Sequence, residues 1–242
     1  MSPYDTASRT APAQDLPEAA PVTDAWLVIP LFNEAPVVRE VVTQARSVFP
    51  LVVVVDDGSA DASADEAEAA GAVVIRHPIN LGQGAALQTG FSYLLERTDA
   101  TYAVTFDADG QHCVTDAAAM VRAAREEDLA VVLGSRFLAG ASSVGLVRRL
   151  ILRTAALVGS RTSGMRLTDA HNGLRVLRRD ALARIDLTQN RMAHASQIVR
   201  QIGTMSLPWR EFPVTITYTE YSRAKGQSLW NSVNILVDLL FS

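Results

Sequence analysis

Asp107-Ala108-Asp109-Gly110-Gln111-His112 follows directly on the apolar run Tyr102-Ala103-Val104-Thr105-Phe106, so a buried strand ends in two carboxylates, an amide and an imidazole. Side chains at i and i+2 of a strand project to one face, so Asp107 and Asp109 can converge on one ion while Ala108 leaves room beside them. Hard oxygen ligands suit Mg²⁺ or Mn²⁺, and such ions keep positions open for substrate phosphates. The chemistry this points to is that of an enzyme acting on nucleoside diphosphates. A D-x-D pattern alone also occurs as an acidic turn on a solvated loop, so its surroundings must decide.

Those surroundings alternate. Short β-rich runs at 26–31, 51–55, 72–76, 102–106 and 129–134 are separated by helical stretches at 35–48, 62–70, 84–97 and 115–127. Alternation of this kind predicts right-handed βαβ units and a mostly parallel sheet covered by helices. The strand runs are nearly all apolar, as strands buried on both faces are. In such sheets ligands bind outside the carboxyl ends of the strands.

The polar signals fall there. The first strand ends in Pro30-Leu31-Phe32-Asn33-Glu34, the second in Asp56-Asp57-Gly58-Ser59, and the third in Arg76-His77-Pro78 before Asn80-Leu81-Gly82-Gln83-Gly84. The fourth ends in the acidic motif and the fifth in Gly134-Ser135-Arg136. Each has a plain structural use as a turn or helix cap, but five together line one edge. Asp57 can accept from a base or ribose hydroxyl, and Gly82 and Gly84 let the backbone approach a ligand. Neither G-x-G-x-x-G nor G-x-x-x-x-G-K-[ST] is present, which argues against a dinucleotide oxidoreductase and a P-loop enzyme.

Composition sets the bounds. A chain of 242 residues suits one α/β domain with extensions, and a net charge of -4 argues against a nucleic-acid partner. The single Cys113 excludes an internal disulfide framework, suits a reducing cytoplasm and reads as a small buried hydrophobe. Residues 1–25, rich in Ala, Pro, Ser, Thr and Asp, read as a disordered leader. No run approaches the roughly 18 apolar residues of a spanning helix, so a soluble or peripheral protein is expected.

Taken in order, the motifs resemble family 2 glycosyltransferases of the GT-A fold, and within them the dolichyl- or polyprenyl-phosphate sugar synthases. The resemblance runs through Val28-Ile29-Pro30-x-x-Asn33-Glu34, Val55-Asp56-Asp57-Gly58-Ser59, Asn80-x-Gly82-x-Gly84-x-Ala86-x-x-x-Gly90 and Asp107-Ala108-Asp109-x-Gln111-His112. It continues through Gly134-Ser135-Arg136, Asn172-Gly173-Leu174-Arg175 and Arg223-x-x-Gly226-x-Ser228. It implies a Rossmann-like three-layer α/β/α domain over residues 26–228, with a mostly parallel central sheet and a C-terminal amphipathic helix at 229–242. It also implies a UDP- or GDP-linked sugar held by Pro30, Phe32, Glu34, Asp57, Asn80, Asp107, Ala108, Asp109 and Arg223, with Mg²⁺ or Mn²⁺ at Asp107, Asp109 and Gln111. The chain departs from the branch at Gln83, where Lys or Arg is common, at Leu174, where Phe is usual, and at Leu229, where Lys often stands. The segments 189–196 and 218–228 resemble a bacterial surface-polysaccharide subgroup, some of whose members work beside a small membrane protein.

The acceptor side is read from charge. Between Asp128 and Asp169 there is no Asp or Glu, yet there are six arginines, Arg136, Arg148, Arg149, Arg153, Arg161 and Arg166, interleaved with apolar residues. That composition suits an interfacial element meeting anionic headgroups at the inner face of the membrane, and equally a packed helix with arginines in water. Under the resemblance, Ser135, Arg136 and Arg148 hold an acceptor phosphate. The expected reaction is a single inverting displacement at the anomeric carbon, with Asp109, Arg136 and Asp169 as the catalytic candidates. A polyprenyl phosphate acceptor is already an anion and needs little or no base; a glycan or metabolite hydroxyl needs one, and Asp169 is then the candidate. A sugar-nucleotide-binding protein without turnover is the alternative from another class, and the intact acidic set argues against it.

Overall fold

The computed structural model describes residues 21–138, 165, 167–170, 172–189, 193–217 and 221. Seven strands form the sheet: β1 (Ala25–Leu31), β2 (Val52–Asp56), β3 (Val73–Arg76), β4 (Tyr102–Thr105), β5 (Val131–Ser135), β6 (Arg175–Arg178) and β7 (Trp209–Pro213). Their spatial order is β3-β2-β1-β4-β6-β5-β7. Every pairing is parallel except those of β6, which runs antiparallel to both β4 and β5.

Helices cover both faces. Valines and isoleucine in β1 and β2 alternate between them: Leu27, Ile29, Leu31, Val52 and Val54 join one core, Val28 and Val53 the other. The first core is closed by α1 (Ala35–Val48) and α4 (Val114–Glu126). In α1 the buried Val38, Val41, Val42 and Ala45 repeat at i, i+3, i+4 and i+7, the stripe of an amphipathic helix, and a proline in its first turn fits positions whose N–H groups have no helical acceptor. The shorter α2 (Ser63–Ala69) adds Ala67 to the same layer. The second core is closed by α3 (Gln83–Arg97), α5 (Arg179–Leu182) and α6 (Ala193–Thr204). The three-layer α/β/α arrangement expected from the sequence is therefore present.

Two details differ from expectation. The fold takes in residues before the supposed end of the leader at 25: Val22 is buried and its N–H bonds to the carbonyl of Val48, while the carbonyl of Asp24 accepts from Thr101 and Tyr102. Cys113 is not buried; it occupies the N-cap position of α4, half-exposed, with its sulfur 3.0 Å from the Thr115 hydroxyl. Residues 1–20, the C-terminal segment 229–242 and most of the arginine-rich stretch beyond Leu138 lie outside the described residues. Among the described residues no helix is long and apolar enough to cross a membrane.

Candidate functional site

The carboxyl ends of β1, β2 and β4 open into a cleft of about 520 Å³. Its walls include Pro30, Phe32, Glu34, Asp57, Asn80, Asp107, Ala108 and Asp109, all expected from the sequence, and Gln83. Arg223 and Arg148 lie outside the described residues, as does His171.

Loops after β1 and β2 are stitched together. The Asn33 N–H donates to the Ser59 hydroxyl at 2.9 Å, the Ala60 N–H to the Asn33 side chain at 2.9 Å, and the Glu34 N–H to the Ser63 hydroxyl at 2.7 Å. Asn33 sits at φ 53°, a left-handed conformation that Asn tolerates better than most residues. Glu34 also bonds to Tyr221; burial and that acceptor push the phenol up to about 12. Thus a residue close before the Arg223 motif touches the wall of the cleft.

Asp57 has more structural work than its sequence position implies. Oδ1 accepts from the Leu81 N–H at 2.9 Å and pairs with His77 Nδ1 at 2.8 Å, while Oδ2 accepts from the Gly82 N–H at 2.7 Å. His77 in turn meets the Thr89 hydroxyl at 2.9 Å. Gly82 has φ 97°, which a side chain would strain. The carboxylate therefore shapes the 77–82 loop first and keeps only residual acceptor capacity for the cleft. Gly84 serves packing: an added Cβ would strike the carbonyl of Gln189.

At the end of β4 the two aspartates differ. Asp107 receives His112 Nε2 at 2.8 Å and Gln83 Nε2 at 3.3 Å. Burial works to raise its pKa, but the imidazole and more distant Arg175 outweigh it and hold the carboxyl below its ordinary value. Asp109 lies beside it, its Oδ1 accepting the Gln111 N–H at 3.0 Å, and burial together with the Asp107 charge pushes it up to about 6. Two oxygen-donor groups that repel each other are what a hard divalent cation relieves, so the pair fits Mg²⁺ or Mn²⁺. Among the described residues no three His, Cys, Asp or Glu side chains gather as a metal cluster. Among the described residues, Asp107 and Asp109 are the carboxylates at this strand end that fit such an ion. Gln111 contributes its backbone, to Asp109 and to Thr217, and is not among the residues lining the cleft. His112 orders Asp107, its ring packed edge-on against Phe106 with centroids 5.4 Å apart.

Of the residues expected around an acceptor phosphate, Ser135 and Arg136 are among the described residues, and both bond within the protein. Arg136 Nε and Nη2 reach Asp169 Oδ2 and Oδ1 at 2.7 and 2.8 Å, and the Arg136 N–H adds a third bond at 3.1 Å. The Asp169 side chain is 1 % exposed. Burial raises its pKa, but the bidentate guanidinium more than offsets this and holds it below the ordinary value, which suits an ion-pair partner better than a proton acceptor. Ser135 is fully buried, its hydroxyl 2.6 Å from that of Thr168. Glu211 on β7 secures the same strand end by accepting from the Thr168 and Asp169 N–H groups. The Ser135 hydroxyl is thus bonded within the protein, and Arg136 and Asp169 form a buried ion-paired fork.

One cation was passed over. Arg175, named in the sequence only as the last member of a motif, opens β6 opposite Thr105 of β4 and Leu133 of β5. Because β6 runs antiparallel, its first residue, not its last, lies at the cleft edge. The direction of that strand was the missing signal, and four apolar-basic residues do not declare it.

This α/β sheet with an acidic strand end at its cleft matches known proteins. The chain belongs to glycosyl transferase family 2, whose profile matches residues 26–186, and it is a glycosyltransferase of hexosyl type. It is 31% identical over 234 residues to the polyprenol monophosphomannose synthase of Mycolicibacterium smegmatis, covering 92% of this chain and 86% of that one. It is 28% identical over 237 residues to the UDP-N-acetylglucosamine–dolichyl-phosphate N-acetylglucosaminyltransferase of Methanococcus voltae, covering 89% and 94%. Glucosyl-3-phosphoglycerate synthase from Mycobacterium tuberculosis, solved with phosphoglyceric acid, superposes with a TM-score of 0.66 at 18% identity over 89% of this chain and 78% of its own, which establishes the GT-A fold.

Proposed function

We propose that this glycosyltransferase moves a sugar from a UDP- or GDP-linked donor to a polyprenyl phosphate, at the inner face of the cell membrane, for a surface polysaccharide. The observation that carries this is the Asp107–Asp109 pair facing a cleft large enough for a nucleotide, beside Pro30, Glu34 and Asn80. The names of the two curated relatives, each a polyprenyl- or dolichyl-phosphate transferase, support the acceptor. The neighbouring fold has been solved with Mn²⁺ and UDP-glucose, and with Mg²⁺ and UDP, which supports a divalent cation at the aspartates.

In this reading an oxygen of the acceptor phosphate attacks the anomeric carbon as the bond from that carbon to the diphosphate oxygen breaks, with inversion. The nucleophile is already anionic, so no residue has to remove a proton. A divalent cation, when bound, neutralises the departing diphosphate. Asp107, ordered by His112 and Gln83, and Asp109 are the groups that would hold it. Glu34, with Tyr221 beside it, faces the nucleotide end, and Arg223 is assigned to the phosphates. A contact with the membrane, through the arginine-rich stretch or the C-terminal segment, and a small membrane partner belong to the same proposal.

The runner-up, transfer to a hydroxyl with Asp169 as base, has the Arg136 fork against it. Purified enzyme is incubated with several NDP-sugars, undecaprenyl phosphate and Mn²⁺ or Mg²⁺. A mild-acid-labile lipid monophosphosugar is the expected product; transfer to saccharide or metabolite hydroxyls alone, with no lipid product, overturns the reading.

A further inference from the structure

Behind the Asp107 wall of the cleft lies a second, smaller pocket of about 150 Å³, bounded by Gln83, Thr105, Asp107, Arg175, His194 and Ala195 among others. Three features bring positive charge to it, beside the Asp107 carboxylate. Arg175 is 3% exposed, yet among the described residues its guanidinium has no hydrogen bond or ion pair; its influences are the more distant charges of Asp107 and Asp169. Asp169 is already gripped by the Arg136 fork and Asp107 by His112. A buried cation without a close partner is costly, and an anion at its nitrogens removes that cost. Burial lowers the guanidinium to about 10, so it remains charged at neutral pH. Two helix N-termini supply the rest: Gln83 opens the fifteen-residue α3, and His194 and Ala195 lie in the first turn of the twelve-residue α6. The first-turn N–H groups of a helix lack intrahelical acceptors and carry partial positive charge, which favours an anion.

We propose that this pocket is an oxyanion subsite, in which Arg175 and the first turns of α3 and α6 receive a phosphate or carboxylate group of a substrate. It rests on the donor-cleft reading above, because Gln83 and Asp107 are shared by both cavities. An anion seated there lies next to the carboxylate assigned to the donor diphosphate, where an acceptor phosphate must stand to reach the anomeric carbon. The same chemistry has a second source, a carboxylate on the donor sugar.

The test uses the full-length enzyme and Arg175→Gln, with Arg175→Lys as the charge-retaining variant. Thermal shifts with UDP and GDP plus Mg²⁺ first report the donor cleft; no shift with either in the wild type sinks the donor reading itself and leaves the subsite to the next measurement. Inorganic phosphate should compete with undecaprenyl phosphate and not with nucleotide, and Arg175→Gln should raise the acceptor KM at least tenfold with the nucleotide shift retained and Arg175→Lys intermediate. An effect confined to donors whose sugar carries a carboxylate keeps the subsite and assigns it to the donor. Phosphate that fails to compete in the wild type, together with unchanged kinetics for every donor and acceptor in Arg175→Gln, overturns the proposal. If Arg175→Gln does not fold, the wild-type competition and Arg175→Lys decide it: no competition and an unchanged acceptor KM overturn it.

Discussion

The contrast between the two aspartates at the end of β4 is the property most directly tied to chemistry. Asp107 is anchored by His112 and Gln83, whereas Asp109 is held up to about 6 by burial and by its neighbour's charge. That repulsion is a cost to the metal-free fold and a gain once a cation is present. Asp109→Asn should therefore have opposite effects on two readouts. Turnover should fall by about 10²–10³-fold, the scale of losing one group that stabilises developing charge. The metal-free variant should unfold at the same temperature as the wild type or higher, since one of two repelling charges is gone. Steady-state rates with saturating Mn²⁺ and a calorimetric scan in chelator check the pair; a variant that loses activity and also unfolds markedly earlier would mean that Asp109 is a structural residue.

At the level of elements, the Arg136–Asp169 fork pins the end of β5 to the segment that leads into β6. Replacing one partner of a buried pair strands the other, so Asp169→Asn should cost on the order of 3 kcal/mol at neutral pH. Because the folded Asp169 lies below its ordinary 3.8, its contribution is complete above about pH 4 and disappears as the pH falls through the lower folded value. The deficit of the variant should therefore shrink in urea titrations below pH 4; a constant deficit down to pH 2 would assign it to packing instead. How far the sequence disclosed these elements depended on periodicity. β1 to β5 and α1 to α4 stood out to within a residue or two, because apolar runs alternate with helical stripes such as Val38, Val41, Val42 and Ala45. β6 and β7 did not: Arg-Val-Leu-Arg and Trp-Arg-Glu-Phe-Pro carry charge inside short strands, and neither follows a βαβ rhythm. The cost of missing β6 was specific. Arg175 could not be placed at the cleft edge from the sequence, and neither could the bonds that tie Arg136 to Asp169 and Ser135 to Thr168. The placement of Asp107, Asp109, Glu34 and Asn80 around one cleft was legible because each follows a recognisable strand.

At the scale of the whole molecule, a ligand that binds only the folded state raises its stability by mass action. UDP or GDP at a hundred times its dissociation constant, with Mg²⁺, should add about 2.7 kcal/mol and move the midpoint by roughly 5–10 °C. Absence of a shift with both nucleotides and the metal would count against the cleft as a donor site. The inserted antiparallel strand has a further consequence, for the chain during its synthesis. Among the described residues β5 pairs with β6 and β7, and β4 meets β6 on the side away from β1, so residues 21–138 alone leave β5 without these partners and one side of β4 bare. Both strands are apolar and buried in the finished sheet, and a bare apolar strand edge recruits other chains. A ribosome-bound chain must carry this unfinished sheet until residues 175–178 and 209–213 emerge, so the fragment 21–138 should aggregate where the full chain stays in solution. Sedimentation of the two from the same expression host would show it, and would mark β6 as the strand on which a newborn chain waits.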